Sequence, residues 1–365
     1  AAQAGRLPQL SANGQAGYSE NSEVTGGEDA YRASVDLDQV LYDGGNTRSA
    51  VRIAEADAAV ALAEARQTEA DILYNLRVAF TDVLWAQEQI GLLEQIQSRR
   101  AENVEMVELR YQGGREHQGS LALNQAALKE AETDLQQARR NLAVTRGTLS
   151  RALGRERDDP GLALSGSLDD LPMPVAVDTA ALARRTPASV QAEASVARAR
   201  SALVQARSSR QPTLSAYGTA SRYGDEWSVE EDSLGAGVRL NLPIWAGGQT
   251  GAEIRRAAAR LAGVEAGLAE TLNNQRTRLD QTLQSFQEAV EALAVSRQFL
   301  EAQELRATIS REQYGNGLLE FDNWDIIEND LINRQKRLLK TRRQAWRAEA
   351  LWWQVTGRGF ADGVE

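Results

Sequence analysis

The sequence predicts a mainly helical protein with two-faced β strands, built as a duplicated strand–strand–long helix–helix unit. Three observations predict it. The chain repeats itself with a period of about 200 residues, alternating apolar–polar runs open each copy, and proline-free stretches run too long for a compact core.

The repeat rests on four anchors in the same order. Arg6-Leu7-Pro8-Gln9-Leu10-Ser11-Ala12 returns as Arg210-Gln211-Pro212-Thr213-Leu214-Ser215-Ala216. Tyr42-Asp43-Gly44-Gly45 returns as Trp245-Ala246-Gly247-Gly248. Arg110-Tyr111-Gln112-Gly113-Gly114 answers to Gln313-Tyr314-Gly315-Asn316-Gly317, and Leu153-Gly154 to Thr356-Gly357. The halves are therefore 1–186 and 187–365. The sequence opens at Ala1 without Met, and 1–6 reads as the last turn of a helix whose start is missing, so a processed or truncated form is expected.

Strands are expected at 8–20, 31–42, 212–223 and 233–245. Leu10, Ala12, Gly14, Ala16 and Tyr18 alternate with Ser11, Asn13, Gln15 and Ser19. Ala33, Val35, Leu37 and Leu41 alternate with Ser34, Asp36 and Asp38, and Leu234, Ala236, Val238, Leu240, Leu242 and Ile244 follow the same rule. Period-two patterning gives a strand one apolar and one polar face. Each run exceeds the ~9–11 residues that cross a bilayer as a tilted strand. Two readings stand at this point: hairpins on a soluble core, or a transmembrane barrel with lipid outside and water inside. The segments 20–29 and 224–232 are polar and acidic, as exposed loops would be. Four strands cannot close a barrel, since single-chain barrels need about eight, so the membrane reading requires several chains to share one.

Long helices are expected at 46–112 and 249–313, with shorter returning helices at 118–154, 187–210 and 318–357. From Asn46 to Gln112 there is no proline and one glycine, Gly91. At ~1.5 Å per residue that is about 100 Å, and such a helix needs partners along its length. Leu76, Val83 and Ile90 recur every seven residues, interleaved with Ile72, Ala79, Ala86 and Leu93; Leu279, Phe286, Leu293 and Leu300 do the same in the second half. Such heptads indicate coiled-coil packing. The stretch 155–185, with Asp158-Asp159-Pro160-Gly161 and Asp169-Asp170-Leu171-Pro172, reads as a linker.

Composition excludes much. With a net charge of −10 and no long basic run, nucleic acid is not the expected partner. The chain has no cysteine and a single histidine, His117, which excludes disulfides and thiolate chemistry. No converging acid–base or nucleophile set is visible, so no enzyme, cofactor or metal site is expected. His117 reads as a polar loop contact only.

These features resemble the TolC-type outer-membrane efflux protein (outer membrane factor) family over essentially the whole chain. Pro8-Gln9-Leu10-Ser11 and Pro212-Thr213-Leu214-Ser215 match its strand-opening pattern. Leu240-Asn241-Leu242-Pro243-Ile244-Trp245-Ala246-Gly247-Gly248 matches its strand-to-helix junction, which makes Gly44, Gly45, Pro243, Trp245, Gly247 and Gly248 the junction residues here. Val40-Leu41-Tyr42 departs by lacking the proline, so that strand end should bend less. Leu109-Arg110-Tyr111-Gln112-Gly113-Gly114 resembles the family's helix tip.

The resemblance implies a homotrimer whose strands form one β-barrel in the outer membrane, in contact with its lipid, continued by a periplasmic α-helical barrel. The helix tips would meet a periplasmic membrane-fusion adaptor and, through it, an inner-membrane pump. The expected docking residues are Arg110, Tyr111, Gly113 and Gly114 on one tip and Tyr314, Gly315, Gly317 and Leu318 on the other. Asp322 and Asp325, at i, i+3 and with Glu320 beside them, are the expected acidic gate, because three copies would make carboxylate rings. Trp227, Trp324, Trp346, Trp352 and Trp353 read as packing residues, and Trp245 as an interfacial anchor. The alternative function is a soluble periplasmic coiled-coil scaffold or adaptor.

Overall fold

The computed structural model describes residues 2–19, 28–155, 164–169, 171–175, 177–224 and 231–359. After a 3-10 turn at Ala2–Arg6, strands β1 (Gln9–Ser19) and β2 (Glu28–Tyr42) lead into α1 (Asn46–Gln112). Helices α2 (Gln118–Ala152), α3 (Thr179–Ala183) and α4 (Pro187–Ser208) follow, then β3 (Thr213–Gly224), β4 (Glu231–Asn241), α5 (Gln249–Gly315) and α6 (Phe321–Thr356). Most of the expected loops at 20–29 and 224–232, Trp227, Asp158–Gly161 and Asp170 lie outside the described residues. No helix among the described residues is long and apolar enough to cross a membrane.

The chain forms two compact units, each drawing on sequence from both sides of residue 187. The first comprises Ala1–Glu64 and Pro187–Asn273. Its antiparallel sheet has the order β1-β2-β3-β4, which leaves β1 and β4 as edges. Directly paired residues share a face, so the register sorts the side chains. Ala12, Val35, Ala220 and Leu234 form one row on the apolar face; Leu10, Leu37, Gly218 and Ala236 form the next. The opposite face carries Asn13, Ser34, Asp36 and Thr219, where Asp36 accepts hydrogen bonds from Asn13 (2.9 Å), Ser34 (2.9 Å) and Thr219 (2.7 Å). One carboxylate thus ties β1, β2 and β3 together in register.

Two strand ends differ from expectation. In β2 the register shifts between Val40 and Tyr42, so Tyr42, opposite Leu214, takes the apolar face that simple alternation assigned to Leu41. An inserted residue reverses the parity beyond it. In β4 the ladder stops at Asn241 although alternation continues to Ile244. Pro243 has no N–H to donate and restricts Leu242 before it, so pattern outlasts pairing.

The second unit comprises Ala65–Thr186 and Asn274–Glu365, and its regular elements among the described residues are all helices. Its core follows the heptads. Ala79, Val83, Ala86 and Leu93 of α1 are buried, as are Leu279, Phe286 and Leu293 of α5. Val83 packs with Ala79 and Leu149, and Phe286 with Leu279, Trp352 and Val355. The expected linker is more ordered than its Pro/Gly content suggests. Leu168 is buried against Leu84 and Leu339, its carbonyl accepts from Trp346 Nε1 at 3.0 Å, and Asp178 caps α3 through the amides of Ala180 and Ala181. A five-residue helix is too short to show a period, which is why the sequence hides it.

Candidate functional site

The most elaborate constellation in the second unit gathers the two helix tips. α1 ends in a left-handed Gly114 (φ +69°), with Gly114 N–H donating to Tyr111 O (2.9 Å) and Arg115 N–H to Arg110 O (2.8 Å). α5 ends the same way at Gly317 (φ +76°), where Gly317 N–H donates to Tyr314 O (3.0 Å) and Leu318 N–H to Gln313 O (2.8 Å). Both are helix stops that use the residue type able to adopt positive φ without strain. The helices that follow begin differently. His117 caps α2 by accepting from Ser120 N–H through Nδ1, whereas Glu320 caps α6 with no side-chain bond. His117 therefore has a defined structural job that the sequence reading denied it.

The tips are joined to each other. Tyr314 is fully buried, stacked on Trp324 at 4.3 Å with nearly parallel rings, and Phe321 meets both rings edge-on. Its hydroxyl donates to Glu116 (3.0 Å), and its carbonyl accepts from Arg110 Nη1 (2.6 Å), whose guanidinium also lies over the Tyr314 ring. Burial would raise the Glu116 pKa, but hydrogen bonds from Ser120, the His117 amide and Tyr314 outweigh it and hold the carboxyl below its ordinary range. Burial, reinforced by Glu116, pushes the Tyr314 hydroxyl up, so it remains a donor.

Arg110 and Tyr314, expected at a docking surface, thus face inward within the chain. Tyr111 (40% exposed) and Leu318 (78% exposed) face solvent, as do Gly113, Gly114, Gly315 and Gly317. Of the acidic residues, Asp322 and Glu320 are exposed. Asp325 is half-buried and accepts from Asn329 (2.8 Å). Burial raises the Asp325 pKa against the opposing pull of Arg100.

Next to Asp325 lies a polar layer that the sequence reading missed. Glu328, fully buried, accepts two bonds from Arg99 (2.7 and 2.8 Å) and one from Asn103 (3.2 Å), while Arg100 donates to Asn329. A signal existed. Arg100 continues the heptad of Ala79, Ala86 and Leu93, so a charge occupies a core position. Likewise Tyr314 lies seven residues beyond Ala307 and continues the Leu279–Phe286–Leu293–Leu300 series. Among the described residues no group of His, Cys, Asp and Glu is arranged to hold a metal ion.

Residues 1–155 match the family described as "Outer membrane efflux protein". Over 335 residues the chain is 23% identical to the outer membrane efflux protein BepC of Brucella suis biovar 1 (strain 1330), covering 90% of this chain and 72% of that protein. Residues 1–155 thus carry the similarity to outer membrane efflux proteins, and the likeness to BepC extends it over most of the chain. The fold of this chain is also that of the outer membrane protein VceC from Vibrio cholerae, with a TM-score of 0.85 at 19% identity over 98% of this chain and 89% of VceC. The open-state MtrE outer membrane channel of Neisseria gonorrhoeae gives 0.86 at 16% identity over 100% of this chain and 83% of MtrE.

The strand-to-helix junctions lie in the first unit and are unequal. Asp43 accepts from the amides of Gly45 (3.0 Å) and Thr47 (2.6 Å), capping α1. Gly44 has φ +64°, and a Cβ there would lie 2.3 Å from the Gln211 Cβ, so no other residue fits. Gly247 and Gly248 also have positive φ but open space around them, and Ala246 has no side chain to cap with. Trp245 stands 88% exposed beyond Pro243.

Proposed function

We propose that the protein is the outer-membrane channel of a tripartite efflux system or a related type I secretion system, conducting substrates passively across periplasm and outer membrane. The carrying observation is the sheet: one apolar face, one polar face, and two unpaired edges, in a chain similar to outer membrane efflux proteins. Three copies joined β1 to β4 would supply about twelve strands, enough for a closed barrel with lipid outside and water inside. The duplicated halves 1–186 and 187–365 would each contribute two of the four strands per chain. The long helices would extend as an α-helical barrel into the periplasm, and the duct would need no catalysis, cofactor or nucleic acid. A soluble scaffold leaves the exposed apolar sheet face without a purpose.

The helix tips are read as the docking surface for the periplasmic adaptor and, through it, the inner-membrane pump. Tyr111, Gly113, Gly114, Gly315, Gly317 and Leu318 would make the contact, while Arg110 and Tyr314 hold its shape. Asp322 and Asp325, with Glu320 beside them, are read as the gate, because three copies would present rings of carboxylates that favour cations. Gly44, Gly45, Pro243, Trp245, Gly247 and Gly248 would set the barrel-to-helix turn.

Single-channel conductance in planar bilayers, with oligomeric mass measured alongside, tests the reading. A trimer giving cation-selective steps that widen in Asp322→Ala/Asp325→Ala is expected. A water-soluble monomer without channels would overturn the duct, and unchanged steps in the double variant would overturn the gate. Leu318→Asp should weaken adaptor crosslinking while trimers persist; undiminished crosslinking would remove that tip from the docking surface.

A further inference from the structure

Toward its loop side, the apolar face of the sheet carries a charged row. Register places Gly14, Ala33, Arg222 and Asp232 side by side on that face, one row beyond Ala12, Val35, Ala220 and Leu234 on the loop side. Arg222 and Asp232 form an ion pair, and both stay well exposed, at 63% and 70%. From Asp232 to Leu240 is eight residues of β4. That is about 27 Å of strand, or about 20 Å of depth at a tilt of 35–45°. With Trp245 exposed past the other end, the face matches the ~25 Å apolar band of an outer-membrane barrel. The charged row therefore falls where hydrocarbon gives way to headgroups.

The geometry of the pair decides what it can bind. Arg222 uses Nε and Nη2 for Asp232, the latter at 3.5 Å, which fixes the guanidinium through its side edge. A guanidinium carries five N–H donors in a rigid fork, so the end-on edge, with both Nη atoms, is left to face outward. Gly14 and Ala33 keep the strand surface beside it low, and nothing lies within 4 Å of where a Gly14 Cβ would be. A neutralised pair is tolerable at the membrane rim, where a lone charge costs more. An oriented fork at this depth is complementary to a phosphate.

We propose that Arg222, oriented by Asp232, binds the phosphate of a lipid headgroup at the rim of the apolar face. This rests on the outer-membrane channel reading. The contact anchors the barrel at a fixed depth, and its partner is the lipid and not free phosphate. Loss of two charge-assisted hydrogen bonds should lower lipid retention by about a hundredfold.

The test is native mass spectrometry of detergent-purified trimers given either phosphatidylglycerol or a phosphate-free digalactosyl diacylglycerol, with conductance measured on the same preparations. Wild type should retain phosphatidylglycerol preferentially, even with millimolar inorganic phosphate present. Arg222→Gln should fall to the galactolipid level, and Arg222→Lys should fall short of wild type because an ammonium lacks the fork. Asp232→Asn should also lose retention despite its more positive rim. Conducting Arg222→Gln trimers that hold phosphatidylglycerol as wild type does, or competition by inorganic phosphate, would overturn the headgroup contact and leave the channel reading intact. Wild-type protein that forms no conducting trimer would overturn the channel reading, and this contact with it.

Discussion

The two helix tips close by the same backbone device and then diverge. Both stop on a positive-φ glycine with matching hydrogen bonds, yet only the α1–α2 tip caps its outgoing helix with a side chain, through His117. The α5–α6 tip leaves Glu320 unused as a cap and Leu318 in solvent, and sends Tyr314 across to Glu116 and Arg110. One tip carries its own side-chain cap; the other is held by its neighbour and by a buried aromatic stack. A cross-tie between elements differs from caps within them because breaking the tie leaves each helix intact, which suits the gate proposed above.

Removing the stack should break the comparison most. Tyr314→Ala deletes the ring packed on Trp324 and should cost about 3–5 kcal/mol, the range for buried aromatic truncations. Amide exchange should rise at both tips; protection retained at 110–120 would mean that the α1–α2 tip does not depend on its neighbour. Arg99→Leu should cost a comparable ~3–5 kcal/mol, because it leaves Glu328 charged and buried with only Asn103. Thermal denaturation should detect it, and a loss below 1 kcal/mol would mean that water reaches Glu328.

Smaller changes sharpen the contrast. His117→Ala should cost about 1 kcal/mol by removing a working cap, whereas Glu320→Ser should gain about 0.5–1 kcal/mol by supplying one that is missing. Opposite shifts in melting temperature are expected, the gain no larger than the loss; a loss from both would place Glu320 in an interaction beyond capping.

The smallest effect is acid response, and its sign differs between the tips. The Glu116 pKa is depressed in the folded chain, so its stabilisation is present above the ordinary glutamate range and is lost as pH falls through the folded value. The Asp325 pKa is raised, so its contribution is fully present below the ordinary aspartate range and is lost as pH rises through the folded value. Acidification should therefore first relieve α6 at Asp325 and only later release the tie to Glu116. Exchange followed from pH 7 downwards should show tightening near 325 before loosening near 116. Loosening at both from the start would contradict the assignment.

Much of the architecture was legible because it depends on patterns one residue type at a time. The proline-free run gave α1 its bounds, alternation gave four strands, and glycines gave the tip turns. What was missed depends on partners. Arg100 and Tyr314 occupy heptad positions in the sequence, but nothing in one helix says that a charge there meets Asn329, or that a tyrosine there stacks on Trp324. The bulge at Val40–Tyr42 exists only relative to β3, so counting along β2 alone missed that Tyr42 shares the face of Leu214.

The sequence by itself determined the element order, the two-faced strands and the long helices, since local periodicity and backbone chemistry suffice for these. Tertiary structure decided which tip residues face inward, which carboxylates are buried against arginine, and where the apolar face meets its charged row. These are matters of register between segments far apart in the chain, and register is set by packing and hydrogen bonding across elements, which no single segment encodes.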